Sequence, residues 1–189
     1  MDREPPHCVF LNGLPGSGKS TFATRLIAGR PHWLSLDIDV LRGLLGIAAV
    51  DFRQAGDEVR PLARALLDAQ LGLGRNVVVP QLFFDPSESA QLEAVAEASG
   101  ARVSRFLISV SAAECWDRVR RRGLAAPPGS LEHRIHELIR TAGGLAELHR
   151  MAQQLEVWSR RPDPPVAVSS YAALHEVLLT RGAPVAEMG

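Results

Sequence analysis

The chain has 189 residues, 46% of them hydrophobic, and its 21 basic residues are balanced by 21 acidic ones. That length supports one ordinary hydrophobic core and argues against two, and a formal charge of zero supplies no field to draw in nucleic acid or a membrane surface. Two cysteines, Cys8 and Cys115, stand outside any paired CxxC spacing, so neither a disulfide framework nor a zinc site is expected.

In chain order, the apolar run Cys8 to Leu11 predicts a strand buried on both faces. A glycine-rich turn follows, then a helix from Thr21 to Ala28 that Gly29 and Pro31 stop. "HWLSLDID" reads as a second strand with two carboxylates at its end, "VLRGLLG" as a short helix or turn, and Ala48 to Gly56 as loop. A helix is predicted over Asp57 to Leu73, with Pro61 tolerated because it would lie in the first turn. The β-branched run Val77 to Val79 marks a central strand whose pairing Pro80 ends. A helix over Ser87 to Ser99, a strand in "RVSRFLISV", and helices over Ala112 to Arg122, Leu131 to Thr141 and Leu145 to Trp158 come next. "PPVAVSS" supplies a fifth strand, and a helix over Ala172 to Leu179 closes the pattern. Short buried strands alternating with helices predict an α/β fold: a parallel sheet covered on both sides, with its site beyond the strands' carboxyl ends.

The stretch "GLPGSGKST" lies where such a site belongs. Gly13, Gly18, Lys19 and Ser20 satisfy G-x-x-x-x-G-K-[ST] between a predicted strand and a predicted helix, which is the context that motif requires. Gly13, Leu14, Pro15, Gly16, Ser17, Gly18, Lys19, Ser20 and Thr21 are therefore expected to wrap the phosphates of a nucleotide, with backbone N–H groups and the helix dipole turned toward them. Lys19 reaches the outer phosphates as a point charge, and the Ser20 hydroxyl is placed to ligate Mg²⁺. Lys19 is also the sole lysine among the 21 basic residues. A composition that uses arginine everywhere else keeps lysine where a planar, bulkier guanidinium would not fit a closed loop.

Asp37 and Asp39, two apart, would project to one side of an extended backbone. Phosphoryl transfer to a hydroxyl needs one carboxylate to orient or accept the proton and an oxygen to hold the metal. Capping of a helix starting at Val40 would explain Asp39 without chemistry, but it would leave Asp37 unexplained. Arg118 and Arg122 share a helix face; the alternative to a role in the site is a solvated basic helix that pairs with Glu114 or Asp117. His133 and His136, i and i+3 on a charged helix without a third ligand, are expected to be solvated rather than to hold a metal.

"GLPGSGKST", the "DID" after the second strand and "DRVRRRG" together resemble the P-loop small-molecule kinases, especially the chloramphenicol phosphotransferase and zeta-toxin-like kinases of the AAA type. The resemblance covers most of the chain loosely. It implies a P-loop NTPase fold, a three-layer α/β/α arrangement with a five-stranded parallel sheet and a small helical lid at about 118–142. It also implies ATP and Mg²⁺ as cofactors and Asp39 as the base for the substrate hydroxyl. Asp37 resembles the metal-holding first carboxylate of the shikimate kinase DxD. By the same resemblance Arg118 stacks on adenine, Arg122 reaches the transferring phosphates, and Ser169 with Ser170 falls where adenine passes, although these serines equally suit a helix cap. Where relatives often carry an aspartate after the third strand, this chain has Pro80 and Gln81; Gln81 is either a substrate contact or a strand-end polar residue, and Asp85 is an alternative source of charge.

The leading expectation is an ATP-dependent phosphotransferase acting on a hydroxyl of a small, uncharged or partly apolar, antibiotic-like molecule, with Lys19, Asp39 and Arg122 as the catalytic set. A nucleoside or nucleotide kinase is the alternative, for which Arg42, Arg53 and Arg60 are anion-binding candidates and Arg42 the foremost substrate contact. A nucleotide-dependent switch is the alternative of another class; the guanine signature N-K-x-D is excluded because Lys19 is the sole lysine. "MDREPPHC" lacks a basic n-region and an apolar h-region, and a single domain over 1–189, soluble and cytoplasmic, without nucleic-acid or membrane partners, is expected.

Overall fold

The computed structural model describes residues 4–184. Five parallel strands, β1 (His7–Asn12), β2 (Trp33–Ser35), β3 (Asn76–Pro80), β4 (Arg102–Ile108) and β5 (Val166–Val168), form one sheet in the order β2-β3-β1-β4-β5. β1 sits at its centre and is buried along its whole length, which its unbroken apolar run requires. Alternation does the rest: Cys8 and Phe10 point to one face, Val9 and Leu11 to the other. The first face is covered by α3 (Phe52–Gly72), α4 (Pro86–Ala98) and Trp158 at the end of α7 (Leu145–Ser159); the second is covered by α1 (Lys19–Ile27) and α8 (Tyr171–Thr180). The expected three-layer α/β/α frame with a five-stranded parallel sheet is what the chain adopts.

A third cluster joins Leu14 of the glycine loop to α5 (Ala112–Ala125), α6 (Leu131–Thr141) and α7. Here the α5 and α6 pair forms the helical element expected at 118–142. Gly123 lets the two helices touch, since a Cβ there would lie 2.2 Å from that of His136. His136, expected to be solvated, is instead 4% exposed and stacked on Trp116 at 5.8 Å, because α6 turns that face toward α5.

Three local expectations are corrected. β2 ends at Ser35, so both carboxylates lie beyond it and do not share one extended segment: Asp37, still extended, caps α2 (Ile38–Gly43) and Asp39 falls within its first turn. Residues 48–56 are not loop; a 3-10 helix, Gly46–Ala49, leads into α3, whose start at Phe52 is set by the Asp51 cap. Pro61 therefore lies well inside α3 rather than in its first turn. Both Pro61 and Asp57 are on the exposed face, so the carbonyl of Asp57 that Pro61 cannot bond is open to water.

Away from the carboxyl ends of the strands, Glu93 of α4 accepts from Arg105 of β4 at 2.8 Å and from Arg161, just after α7, at 2.9 and 2.5 Å. Ser89 links the same group to the Trp158 ring nitrogen. Burial acts to raise the Glu93 pKa, but hydrogen bonds from Arg105, Arg161 and Ser89 outweigh it and hold the carboxyl below its ordinary value. Its contribution to stability is therefore full above about pH 4.5, the unfolded pKa, and is lost as pH falls through the lower folded value. Glu93→Gln leaves two partly buried guanidiniums short of charge around a buried amide and is expected to cost about 3 kcal/mol, a fall in Tm on the order of 10 °C. Thermal unfolding of the variant at pH 7 and pH 4 checks both the loss and its convergence toward wild type in acid.

Candidate active site

Gly13 to Gly18 run between β1 and α1 at the carboxyl edge of the sheet, and Lys19, Ser20 and Thr21 form the first turn of α1. Gly13, Gly16 and Gly18 all take positive φ, at 153°, 85° and 107°. At Gly16 a second constraint operates: a Cβ would stand 2.5 Å from the Cys115 carbonyl oxygen, so the loop can lie against α5 only without one. Among the described residues, six of the eight α-helices carry a side-chain cap, whereas α1 begins at Gly18 with none. Its first N–H groups are thus left for an anion. The Ser17 hydroxyl, 2% exposed, has no protein partner among the described residues, which also suits a cradle for a phosphate.

Lys19 turns back over this loop, its Nζ donating to the Gly13 carbonyl at 2.8 Å and to that of Leu14 at 3.0 Å. Burial lowers its pKa to about 8, against the attraction of Asp39 and Asp37. The Ser20 hydroxyl donates to Asp37 Oδ2 at 2.9 Å, while Asp37 Oδ1 accepts from the backbone N–H groups of Asp39 and Val40. One carboxylate thereby fixes the start of α2 with one oxygen and meets the Ser20 hydroxyl with the other. The capping role weighed for Asp39 belongs to Asp37, and Asp39 is left for other work.

Asp39 lies 3.6 Å from Arg42. Burial raises its pKa, the neighbouring Asp37 charge raises it further, and Arg42 and Lys19 pull the other way. Arg42 is itself held, donating through Nε at 2.7 Å to the Phe52 carbonyl and lying 3.6 Å over the Phe52 ring. Arg134 of α6 covers the same ring at 5.6 Å and donates to the Ala48 carbonyl.

A cavity of about 370 Å³ brings Lys19, Ser20, Asp37, Asp39, Arg42 and Arg122 together. Apart from Glu132 its remaining side-chain wall is apolar, with Phe52, Leu82, Ile135, Leu138 and Met151 on it. Arg118 does not line it: it pairs with Glu114 and donates to the Gly16 carbonyl at 3.3 Å, so it braces the outer side of the loop. Arg120 and Arg121 both pair with Asp117. Gln81 faces a second, smaller cavity that shares Asp39 and Arg42 with the first. Asp85 is exposed and caps α4, its partner in that cap being Glu88, so it is occupied away from the site. Ser169 is exposed at the end of β5 and lines neither cavity, while Ser170 caps α8. Arg53 lines neither cavity either.

Sequence reasoning missed Asn12. Fully buried at the end of β1, it donates to the Phe83 carbonyl at 2.8 Å and accepts from the N–H groups of Gly13 and Phe83, which ties the loop to the segment after β3. A polar residue closing an apolar strand directly before the first loop glycine was the available signal. The packing of Arg134 on Phe52 had no such signal, because a contact between α6 and α3 exists only in three dimensions.

A search of curated proteins finds no match. Among solved structures, the tunicamycin resistance protein of Deinococcus radiodurans superposes with a TM-score of 0.63 at 16% identity, over 97% of this chain and 99% of that one. The APS kinase of Mycobacterium tuberculosis, in complex with AMPPNP and APS, gives 0.57 at 19% identity, over 93% and 96%. A gluconokinase from Sinorhizobium meliloti 1021 gives 0.55 at 18%, over 95% and 99%. These likenesses establish a shared fold. A family model described as an AAA domain matches residues 8–142, which hold the phosphate loop, both carboxylates and the helix pair above them. With that match spanning most of its length, the chain belongs to the AAA domain family and builds it on the P-loop α/β frame.

Proposed function

We propose that the protein is an ATP-dependent phosphotransferase that moves the γ-phosphoryl group to a hydroxyl of a small, partly apolar molecule. The observation that carries this reading is the single cavity in which Lys19, Arg122, Ser20, Asp37 and Asp39 meet an apolar wall. The acceptor hydroxyl lies against Asp39, which takes its proton as the acceptor oxygen bonds to phosphorus and the bond from phosphorus to the β–γ bridging oxygen breaks. Lys19, Arg122 and the free N-terminus of α1 hold the charge that spreads over the phosphoryl oxygens. Ser20 and Asp37 present two hard oxygens 2.9 Å apart, a pair that fits Mg²⁺ completed by phosphate and water oxygens. Magnesium bound there would neutralise phosphate charge. The chain's own contribution is to keep those oxygens aimed by the Asp37 cap.

Phosphotransfer assays with ATP over alcohols, sugars, nucleosides and antibiotics test this reading. ADP formation matched by a phosphorylated acceptor, largest for alcohols with an apolar body, is expected. Preference for nucleosides would move the assignment to a nucleoside kinase, and strong ATP hydrolysis that no alcohol stimulates would replace it with a nucleotide-dependent switch.

A further inference from the structure

The second cavity, of about 140 Å³, adjoins the apolar one, with Asp39, Arg42 and Leu82 in the walls of both. A molecule whose hydroxyl meets Asp39 therefore borders both spaces. The charged groups around the smaller one are not equally available. Arg42 is committed to Asp39 and the Phe52 carbonyl. Glu88 is turned to the backbone, accepting from the Phe84 and Asp85 N–H groups at 3.0 and 3.5 Å.

Arg64 and Arg60, four apart on α3, remain. Arg64 spends one N–H on Gln91 at 2.6 Å, leaving the rest of a fork of five donors. Arg60 meets Asp57 only at 3.9 Å on the exposed rim. Gln81 lines the same cavity, and its Oε1 is buried with no protein partner among the described residues. Burying an amide oxygen without a partner costs about 1–3 kcal/mol. Unused guanidinium donors describe a site for an anionic group, and a half-turn of the Gln81 amide presents its Nε2 donors to that anion. The volume equals that of roughly five waters at about 30 Å³ each, enough for a carboxylate and one or two attached atoms and too little for a nucleoside.

The geometry points to an acceptor that is a hydroxy acid with an apolar body: its hydroxyl at Asp39, its body in the larger cavity, and its carboxylate in the smaller one on Arg64, beside Gln81, with Arg60 only at the exposed rim. This rests on the phosphotransferase reading and adds to it the chemical class of the acceptor. It also places a specificity role on Arg64, which no loop or strand-end pattern marks.

The test uses alkyl and aryl hydroxy acids, each paired with its own methyl ester, against the full-length protein. With wild type, KM for each acid is expected roughly tenfold to hundredfold below that of its ester, the range for a charged hydrogen bond. In Arg64→Met the two converge, and in Gln81→Glu, which sets a like charge beside the anion, the order reverses. Equal KM values for acid and ester in wild type, or a preference that survives Arg64→Met, overturns the proposal. Should no alcohol accept phosphate at all, the phosphotransferase reading fails by itself. Calorimetric titration of the same pairs in the presence of a non-hydrolysable ATP analogue then decides the subsite: tighter binding of acids that Arg64→Met abolishes supports it, and equal binding refutes it.

Discussion

Lys19→Met is expected to lower phosphoryl transfer by about 10²–10³, the loss typical of removing one preorganised donor from a developing charge, and Lys19→Arg is expected not to restore it. The Nζ group already sits among the Gly13 and Leu14 carbonyls, and a guanidinium is too broad to share that space. The titration of Lys19 gives a sharper test than the size of the loss. Without nucleotide its pKa is lowered to about 8 from an ordinary 10.5, because burial disfavours the ammonium. Phosphate binding favours the charged form, so nucleotide binding takes up a proton once the pH exceeds about 8. The affinity for ATP should then fall about tenfold per pH unit above that point, a range in which the terminal phosphate, with a pKa of about 6, no longer titrates. Folding has the opposite sign. Between about 8 and 10.5 the unfolded chain holds a proton that the folded chain has lost, so the nucleotide-free protein gains stability with rising pH from this group. Calorimetric ATP titrations at pH 7, 8 and 9 on wild type and Lys19→Met decide the matter: the slope should be present in the first and absent in the second. A slope that persists in Lys19→Met would assign the titrating group elsewhere.

Lys19 also marks how far the sequence alone carries. The phosphate loop is legible because its chemistry is local: glycine conformations, a lysine and a serine follow from a strand and a helix that the same residues announce. The sheet is legible for a similar reason, since β1 and β3 are apolar on both faces and nothing but a covered central strand satisfies that pattern. The carboxylates were found, but their geometry was not. An Asp-x-Asp spacing fits a strand end and a helix start equally, and the choice fell to Asp37, whose backbone bonds begin α2 two residues earlier than periodicity suggests. Pro61 misled in the opposite direction, because a proline favours the first turn only in the absence of a stronger start signal, and Asp51 supplies one. The Phe52 ring held between Arg42 and Arg134, and the Arg64–Gln81 cavity, depend on contacts across separate elements that no single segment encodes.

Asp39→Asn is expected to lower kcat by about 10²–10⁴, the range for loss of a positioned base, with the KM for ATP little altered because the phosphate loop is untouched. The amide keeps the size and the first-turn position but cannot take a proton. In wild type the Asp39 carboxyl is held above the usual carboxylate range by burial and by the Asp37 charge, with Arg42 and Lys19 opposing. The base is active when ionised, so kcat/KM for the acceptor should fall as pH drops through that raised pKa, and the acid limb should lie above where an exposed aspartate would place it. Two neighbours move the limb in opposite directions. Asp37→Asn removes a like charge and should shift it to lower pH, while Arg42→Met removes an opposite one and should shift it higher. Asp37→Asn has a second consequence, a raised requirement for Mg²⁺, since the Ser20 hydroxyl loses its charged partner. A pH–rate series over the three variants separates the roles. If the limb survives in Asp39→Asn, another group accepts the proton; if it vanishes there and moves in opposite senses in the other two, Asp39 is the base, and Asp37 and Arg42 set the pH at which it works.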